Sequence, residues 1–304
     1  MIFSLITAVH VNISRIIWPR KHKQLMEYLD FFRLSTQPFV NICNTQLYYE
    51  GYDHIEALNR LIYLIEEGSM NFGMLTGEIG CGKTMTRQML KDRLDSNNFE
   101  VIDFDNSNVS FYHLLIDIVH RLGSDKTFEQ EGQQSLYFLT KEFNELLNHK
   151  IKGLDKSLVL ILDEAQQLSD EDLIELKNLT NIGGDSEGRL TIILVGQPEL
   201  RSKVKKLAQI DQRISLRFHL NSLSATDVKG YVATRLNKSG HPTGEIFSDD
   251  SLDFLANATN GIPREINRVC KLSMDFAFSQ NVDTINKDIV KAVVLDLHRQ
   301  QGKA

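Results

Sequence analysis

The chain has 304 residues, of which 42% are hydrophobic and 24% charged, and its formal net charge is −6. That balance fits a soluble globular chain large enough for one α/β domain plus a small appendage. The acidic total argues against a general electrostatic coat for nucleic acid, while a local basic patch stays open. Cys43, Cys81 and Cys270 form no metal-like spacing, and an odd, scattered count fits a reducing, cytoplasmic setting.

At the N-terminus, Met1 to Trp18 is rich in Ile and Val but broken by His10, Asn12 and Arg15. Arg20, Lys21 and Lys23 follow the apolar part, the reverse of a secretory signal. The uninterrupted apolar stretch is too short to span a bilayer. A peripheral helix, an upstream extension of a coding region whose functional start is Met26, and an interfacial membrane helix stay open. Residues 1–25 are therefore set apart, and no stable membrane insertion is expected.

From Tyr28 onward the chain runs without low-complexity linkers or repeats. His54 to Glu67 is predicted helical from the spacing of Ile55, Leu58, Leu61, Ile62 and Ile65. Phe72 to Thr76 suits a short buried strand, and Met85 to Leu94 carries apolar residues on one helix face. Glu100 to Phe104 is a second strand; Ser110 to Leu122 and Ser135 to Leu147 are helices. Leu158 to Leu162 is a fully apolar strand, of the kind covered on both faces in parallel sheets. Asp170 to Ile182 is a helix entered from an N-cap at Ser169 or Asp170. Leu190 to Val195 is a further apolar strand. Beyond Leu223 the strand signal stops, and helices are expected near 225–238, 249–259, 263–279 and 286–299. Strands alternating with helices imply a parallel sheet covered by helices on both faces, followed by a small all-helical domain. The expected division is 26–222 and 223–304.

Between the first strand and its helix lies Gly77-Glu-Ile-Gly-Cys-Gly-Lys-Thr84, which fits G-x-x-x-x-G-K-[ST]. Glycines let the backbone curl so that successive N–H groups converge on phosphate, and the following helix presents its positive end to the same charge. Gly77, Glu78, Ile79, Gly80, Cys81, Gly82, Lys83 and Thr84, with Met85 next to them, are the candidate nucleotide-binding residues. Lys83 would reach the β- and γ-phosphates, and the Thr84 hydroxyl would hold Mg2+. Asp163 and Glu164 close the apolar strand 158–162, where ligands bind in open α/β sheets. Asp163 is the expected second Mg2+ residue, and Glu164 is expected to polarise an attacking water. ATP and Mg2+ are thus the cofactors expected.

The pattern resembles the AAA+ ATPases, and within them the ExeA-like group of secretion-type ATPases, with kinship to transposition ATPases such as the bacteriophage Mu B protein. The resemblance runs from about Met26 to Phe278. It rests on Tyr28-Leu-Asp-Phe-Phe32, Gln37-Pro-Phe39, the phosphate loop, Leu160-Ile-Leu-Asp-Glu-Ala-Gln-Gln-Leu-Ser169, Leu194-Val-Gly-Gln-Pro-Glu-Leu200, Gln212-Arg-Ile214 and Gly261-Ile-Pro-Arg264. It implies a sheet followed by a helical lid, with nucleotide between them and neighbouring subunits completing the site in a ring or filament. It implies that Gln197 senses the γ-phosphate, that Arg264 is a second sensor, and that Arg213 or Arg217 is an arginine finger, with Arg213 preferred. An ordinary salt bridge competes for those two arginines. The expected function is an oligomeric ATPase that assembles or remodels a protein partner.

Residues 201–217 carry Arg201, Lys203, Lys205, Lys206, Arg213 and Arg217 against one acid, Asp211. Such a run is either a solvated face with subunit-contact arginines or a nucleic-acid track. No aromatic lies between Arg201 and Arg217 to stack on bases. A DNA-binding transposition regulator that recruits a transposase is therefore the alternative function.

Overall fold

A computed structural model describes residues 21–68, 71–105, 109–128, 133–181 and 190–300. The expectations for Met1 to Trp18 lie outside the described residues. Five strands are present among them: β1 Phe72–Gly77, β2 Phe99–Phe104, β3 Ser157–Leu162, β4 Leu190–Gly196 and β5 Leu216–Leu220. They form one sheet in the order β2-β3-β4-β1-β5, with every neighbouring pair parallel. The helices are α1 Lys21–Phe31, α2 Tyr52–Glu67, α3 Lys83–Arg93, α4 Phe111–Arg121, α5 Gln133–Leu146, α6 Asp170–Leu179, α7 Glu199–Lys206, α8 Ala208–Asp211, α9 Ala225–Lys238, α10 Asp249–Thr259, α11 Pro263–Ser279 and α12 Lys287–Gln300.

Side-chain alternation along the strands builds two cores. Met74, Leu160, Leu162, Ile192 and Leu194 face α4, α5 and α6 through Leu115, Ile118, Phe143 and Leu176. Leu75, Val159, Ile161, Ile193 and Val195 face α2 and α3 through Leu58, Leu61, Leu64 and Leu90. Because both faces are covered, β1, β3 and β4 read as nearly unbroken apolar runs. Helix α6 starts on a capping box: Ser169 Oγ accepts from the Asp172 N–H at 3.0 Å, and Asp172 Oδ2 accepts from the Ser169 N–H at 3.1 Å.

Strand β5 has no counterpart among the predicted elements. Its sequence, Leu-Arg-Phe-His-Leu, buries only Leu220 fully, so its apolar signal is weak. It sits at the sheet edge beside β1, where a half-exposed strand is tolerated.

The chain divides into two compact units, one spanning Cys43–Ser222 and the other joining the N-terminal segment through Ile42 to the residues from Leu223 onward. Residues 26–42, grouped above with the sheet, thus belong to the helical unit. The reason is a buried cation: Arg235 on α9, 3% exposed, donates Nε to the Pro38 carbonyl at 2.7 Å and Nη2 to the Val40 carbonyl at 3.3 Å. Its Nη1 donates to the Tyr231 hydroxyl at 3.0 Å, which in turn donates to Asn267 Oδ1 at 2.9 Å. The Ser35 N–H adds a bond to the Ser239 carbonyl at 2.7 Å. These bonds satisfy a guanidinium that would otherwise cost several kcal/mol to bury.

Candidate active site

The loop after β1 turns through Gly80 at φ 87° and Gly82 at φ 104°, a region that favours glycine. At Gly82 a Cβ would lie 2.7 Å from His54 Nε2, so the loop and α2 meet too closely for any side chain. His54 is buried and its Nε2 lies 3.0 Å from the Cys81 carbonyl, which anchors the back of the loop. At Gly77 a Cβ would lie 2.7 Å from the Leu220 carbonyl, so the edge strand β5 also constrains the loop. Cys81 is buried among the side chains of the α2–α3 core, Glu78 and Ile79 are exposed, and Met85 is half-buried.

Lys83, the first residue of α3, is only 7% exposed and donates Nζ to the carbonyls of Gly77 at 2.7 Å and Glu78 at 3.0 Å. Burial pulls its ammonium below the usual lysine range, while the nearby Glu164 and Asp163 charges pull the other way. Thr84 follows on the exposed side of α3. Asp163 is 6% exposed just beyond β3. Burial pushes its carboxyl up, opposed by the Glu164 N–H, which donates to Asp163 Oδ1 at 2.9 Å, and by Arg87, whose Nη1 is 3.5 Å from Oδ2. Arg87, on α3 one turn after Lys83 and 6% exposed, also pairs with Asp105 and donates to the Phe104 carbonyl at 3.3 Å. It ties the helix of the phosphate loop to the ends of β2 and β3.

Glu164 has φ 53° and ψ 33°, a left-handed conformation that costs a non-glycine residue of order 1 kcal/mol. The chain leaves the sheet abruptly there and enters a one-turn 3-10 helix, Ala165–Gln167. Glu164 Oε2 accepts from Gln197 Nε2 at 3.2 Å, and also from Gln166 Nε2 at 2.6 Å. Gln197 stands just past the end of β4, beside β3.

The loop residues, Lys83, Thr84, Asp163, Glu164 and Gln197 therefore belong to one edge of the sheet. The strands that carry them are β1, β3 and the strand between them, β4. Arg213 and Arg217 lie in the same unit, one just after α8 and the other on β5. Arg217 pairs with Asp211 at 2.8 Å, whereas Arg213 is exposed and pairs with no acid among the described residues. Arg264 is exposed in the first turn of α11, in the helical unit. Three contributors have no role assigned from the sequence, although Gln166 lies within the stretch 160–169 that carries the resemblance. Arg87 is an arginine on an otherwise core-facing turn, His54 a histidine on an apolar helix face, and Gln166 one of two adjacent glutamines.

A family model described as AAA domain matches residues 66–204, a span that holds the phosphate loop, Asp163, Glu164 and Gln197. The chain is an AAA domain protein. It is a distant homologue of General secretion pathway protein A of Aeromonas hydrophila, 35% identical over 257 residues, covering 83% of this chain. The chain spans 45% of the length of that relative, about half. Among solved structures, the ORC2 protein of Aeropyrum pernix superposes with a TM-score of 0.62 at 16% identity, covering 83% of this chain and 71% of the other. The Thermotoga maritima RuvB Holliday junction branch migration motor superposes with a TM-score of 0.54 at 16% identity, covering 85% of this chain and 76% of the other. At such identities the likeness is one of fold. Among the described residues, no helix is long and apolar enough to cross a membrane.

The buried carboxyl makes stability depend on pH in a stated direction. A folded-state acid raised above its ordinary value near 4 binds more protons than the unfolded chain, so its burial costs stability as pH rises through the raised value. We expect Asp163→Asn to gain thermal stability relative to the unmodified protein on going from about pH 4 to about pH 8, measured by unfolding scans. A gain that shrinks over that range would contradict the raised value.

Proposed function

We propose that the chain binds ATP with Mg2+ at residues 77–84 and hydrolyses it, working as an oligomer on a partner complex. The observation that carries this reading is a buried lysine on the loop after β1 and a buried aspartate just beyond β3, both at one edge of the sheet. Each burial carries a cost that the present partners offset only in part, and a ligand that engages both groups would offset more of it. The loop fits a phosphate group: two left-handed glycines curl its backbone, and a Cβ at Gly82 would close the curl against His54.

Residues 77–83 would cradle the phosphates with backbone N–H groups, and Lys83 would exchange its carbonyl partners for phosphate oxygens. The Thr84 hydroxyl and the Asp163 carboxylate are hard oxygen donors suited to Mg2+, which when bound would neutralise phosphate charge. Glu164 would accept a hydrogen bond from the attacking water. The water oxygen forms a bond to the γ-phosphorus, the bond from that phosphorus to the bridging oxygen breaks, and ADP departs with the electron pair. The water's proton passes to Glu164 and then to solvent. Gln197 would report the γ-phosphate through its bond to Glu164.

Arg213 is assigned as the finger offered to a neighbouring subunit, and Arg264 as a second sensor. The contrast with Arg217, which Asp211 holds, favours Arg213. The homology to a secretion pathway protein supports a protein partner. A second reading, DNA-coupled turnover, is favoured by one observation: Arg201, Lys205, Lys206 and Arg213 are exposed and unpaired by acids among the described residues. The branch migration motor among the structural neighbours is in keeping with it.

Glu164→Gln should keep ATP affinity and lose turnover by at least about a hundredfold, whereas Lys83→Ala should lose binding. Phosphate release and fluorescent-nucleotide titration check both, and full turnover in either variant would overturn the assignment. Arg213→Ala should abolish turnover with nucleotide affinity intact, and mixing it with Glu164→Gln protein should restore part of the activity. Rescue by Arg217→Ala instead would transfer the role. Turnover and sedimentation with duplex DNA across a salt series separate the two readings: no stimulation and no assembly at low salt would end the DNA reading.

A further inference from the structure

Gln166 lies in none of the roles assigned so far, yet its amide is used at both ends. Its Nε2 donates to Glu164 Oε2 at 2.6 Å, and its Oε1 accepts from the Gln197 backbone N–H at 3.1 Å. The pairing fixes the amide's orientation, because a flip would set oxygen against carboxylate and NH2 against N–H. Gln166 therefore bridges the acid at the end of β3 and the backbone at the end of β4.

Two further features hold the bridge in place. The backbone of Gln166 is fastened by Lys203 on α7, whose Nζ donates to the Gln166 carbonyl at 3.3 Å and also to the Leu168 carbonyl. At Gly196, the last residue of β4, a Cβ would lie 2.5 Å from Gln166 Oε1. Glycine is needed there for space, since its backbone does not take a positive φ. A Cβ at 196 would also approach Leu200 Cδ2 at 3.0 Å, and the atom free to give way is the Gln166 amide oxygen, at the expense of its bond to the Gln197 N–H.

We propose that Gln166 is a positioning residue for ATP hydrolysis, with Gly196 providing its room. A glutamate side chain has three rotatable bonds, and holding its carboxylate in one orientation carries an entropic cost. The Gln166 and Gln197 amides both donate to Oε2, which fixes the carboxylate plane. Oε1 accepts from no described residue, so it is the oxygen left to face the attacking water. The proposal rests on the assignment of Glu164 as the water-polarising residue.

The test uses Gln166→Met, which keeps the side chain's length and removes both amide functions. Losing a hydrogen bond to a charged group corresponds to a fall of about ten- to hundredfold, expected here in kcat with fluorescent-ATP affinity and KM unchanged within about twofold. Gly196→Ala should lower kcat similarly, and the two changes together should cost no more than either alone. A readout independent of turnover is thermal unfolding of the nucleotide-free protein. Gly196→Ala should lower Tm more in the unmodified background than in Gln166→Ala, where the 2.5 Å approach to Gln166 Oε1 is gone and only the 3.0 Å approach to Leu200 Cδ2 stays. Unmodified kcat in Gln166→Met, with Glu164→Gln inactive, would overturn the positioning role and leave the Glu164 assignment standing. Additive effects of positions 166 and 196 on Tm would overturn the steric link. If the unmodified protein and Glu164→Gln turn over alike, the Glu164 assignment fails and the proposal falls with it.

Discussion

A parallel sheet sends the carboxyl end of every strand to the same edge, and the organisation of the sheet unit follows from that constraint. The phosphate loop leaves β1 at this edge, Asp163 and Glu164 leave β3, and Gln197 leaves β4. The strand order places β4 between the other two, which brings together groups far apart in the chain. The two cores, one on each face, make the strands stiff enough to hold that arrangement.

The site is also where local rules are broken. Lys83, Arg87 and Asp163 are charged and buried together, and Glu164 takes a backbone conformation that its side chain disfavours. Each departure carries a cost that the surrounding core must offset. Partial pairing lowers it: Arg87 and the Glu164 N–H both stabilise the Asp163 carboxylate, and two loop carbonyls accept from Lys83.

Much of this is legible in the amino-acid sequence. Strands β1, β3 and β4 announce themselves because burial on both faces demands continuous apolar runs, the edge strand β2 shows through Val101, Ile102 and Phe104, and glycine spacing reveals the loop because only glycine tolerates its turns. β5 escapes notice because Arg217 and His219 interrupt its five residues and only Leu220 is fully buried. Residues 26–42 group with the sheet by position alone, since nothing near them shows that Arg235, far along the chain, binds their carbonyls. Gln166 lies inside the stretch 160–169 that carries the resemblance, but its role, like that of Arg87, goes unread for a related reason. Their importance comes from partners on other strands, and residue type alone does not report a partner.

On the function proposed here, residues 77–84 and the end of β3 receive Mg2+-bound ATP together. Amide hydrogen exchange with and without Mg2+ and ATP tests it peptide by peptide. Joint binding should slow exchange in peptides spanning 77–90 and 158–167, together and at the same nucleotide concentration. Unchanged exchange in both regions at saturating nucleotide, with protection elsewhere in the chain, would contradict it.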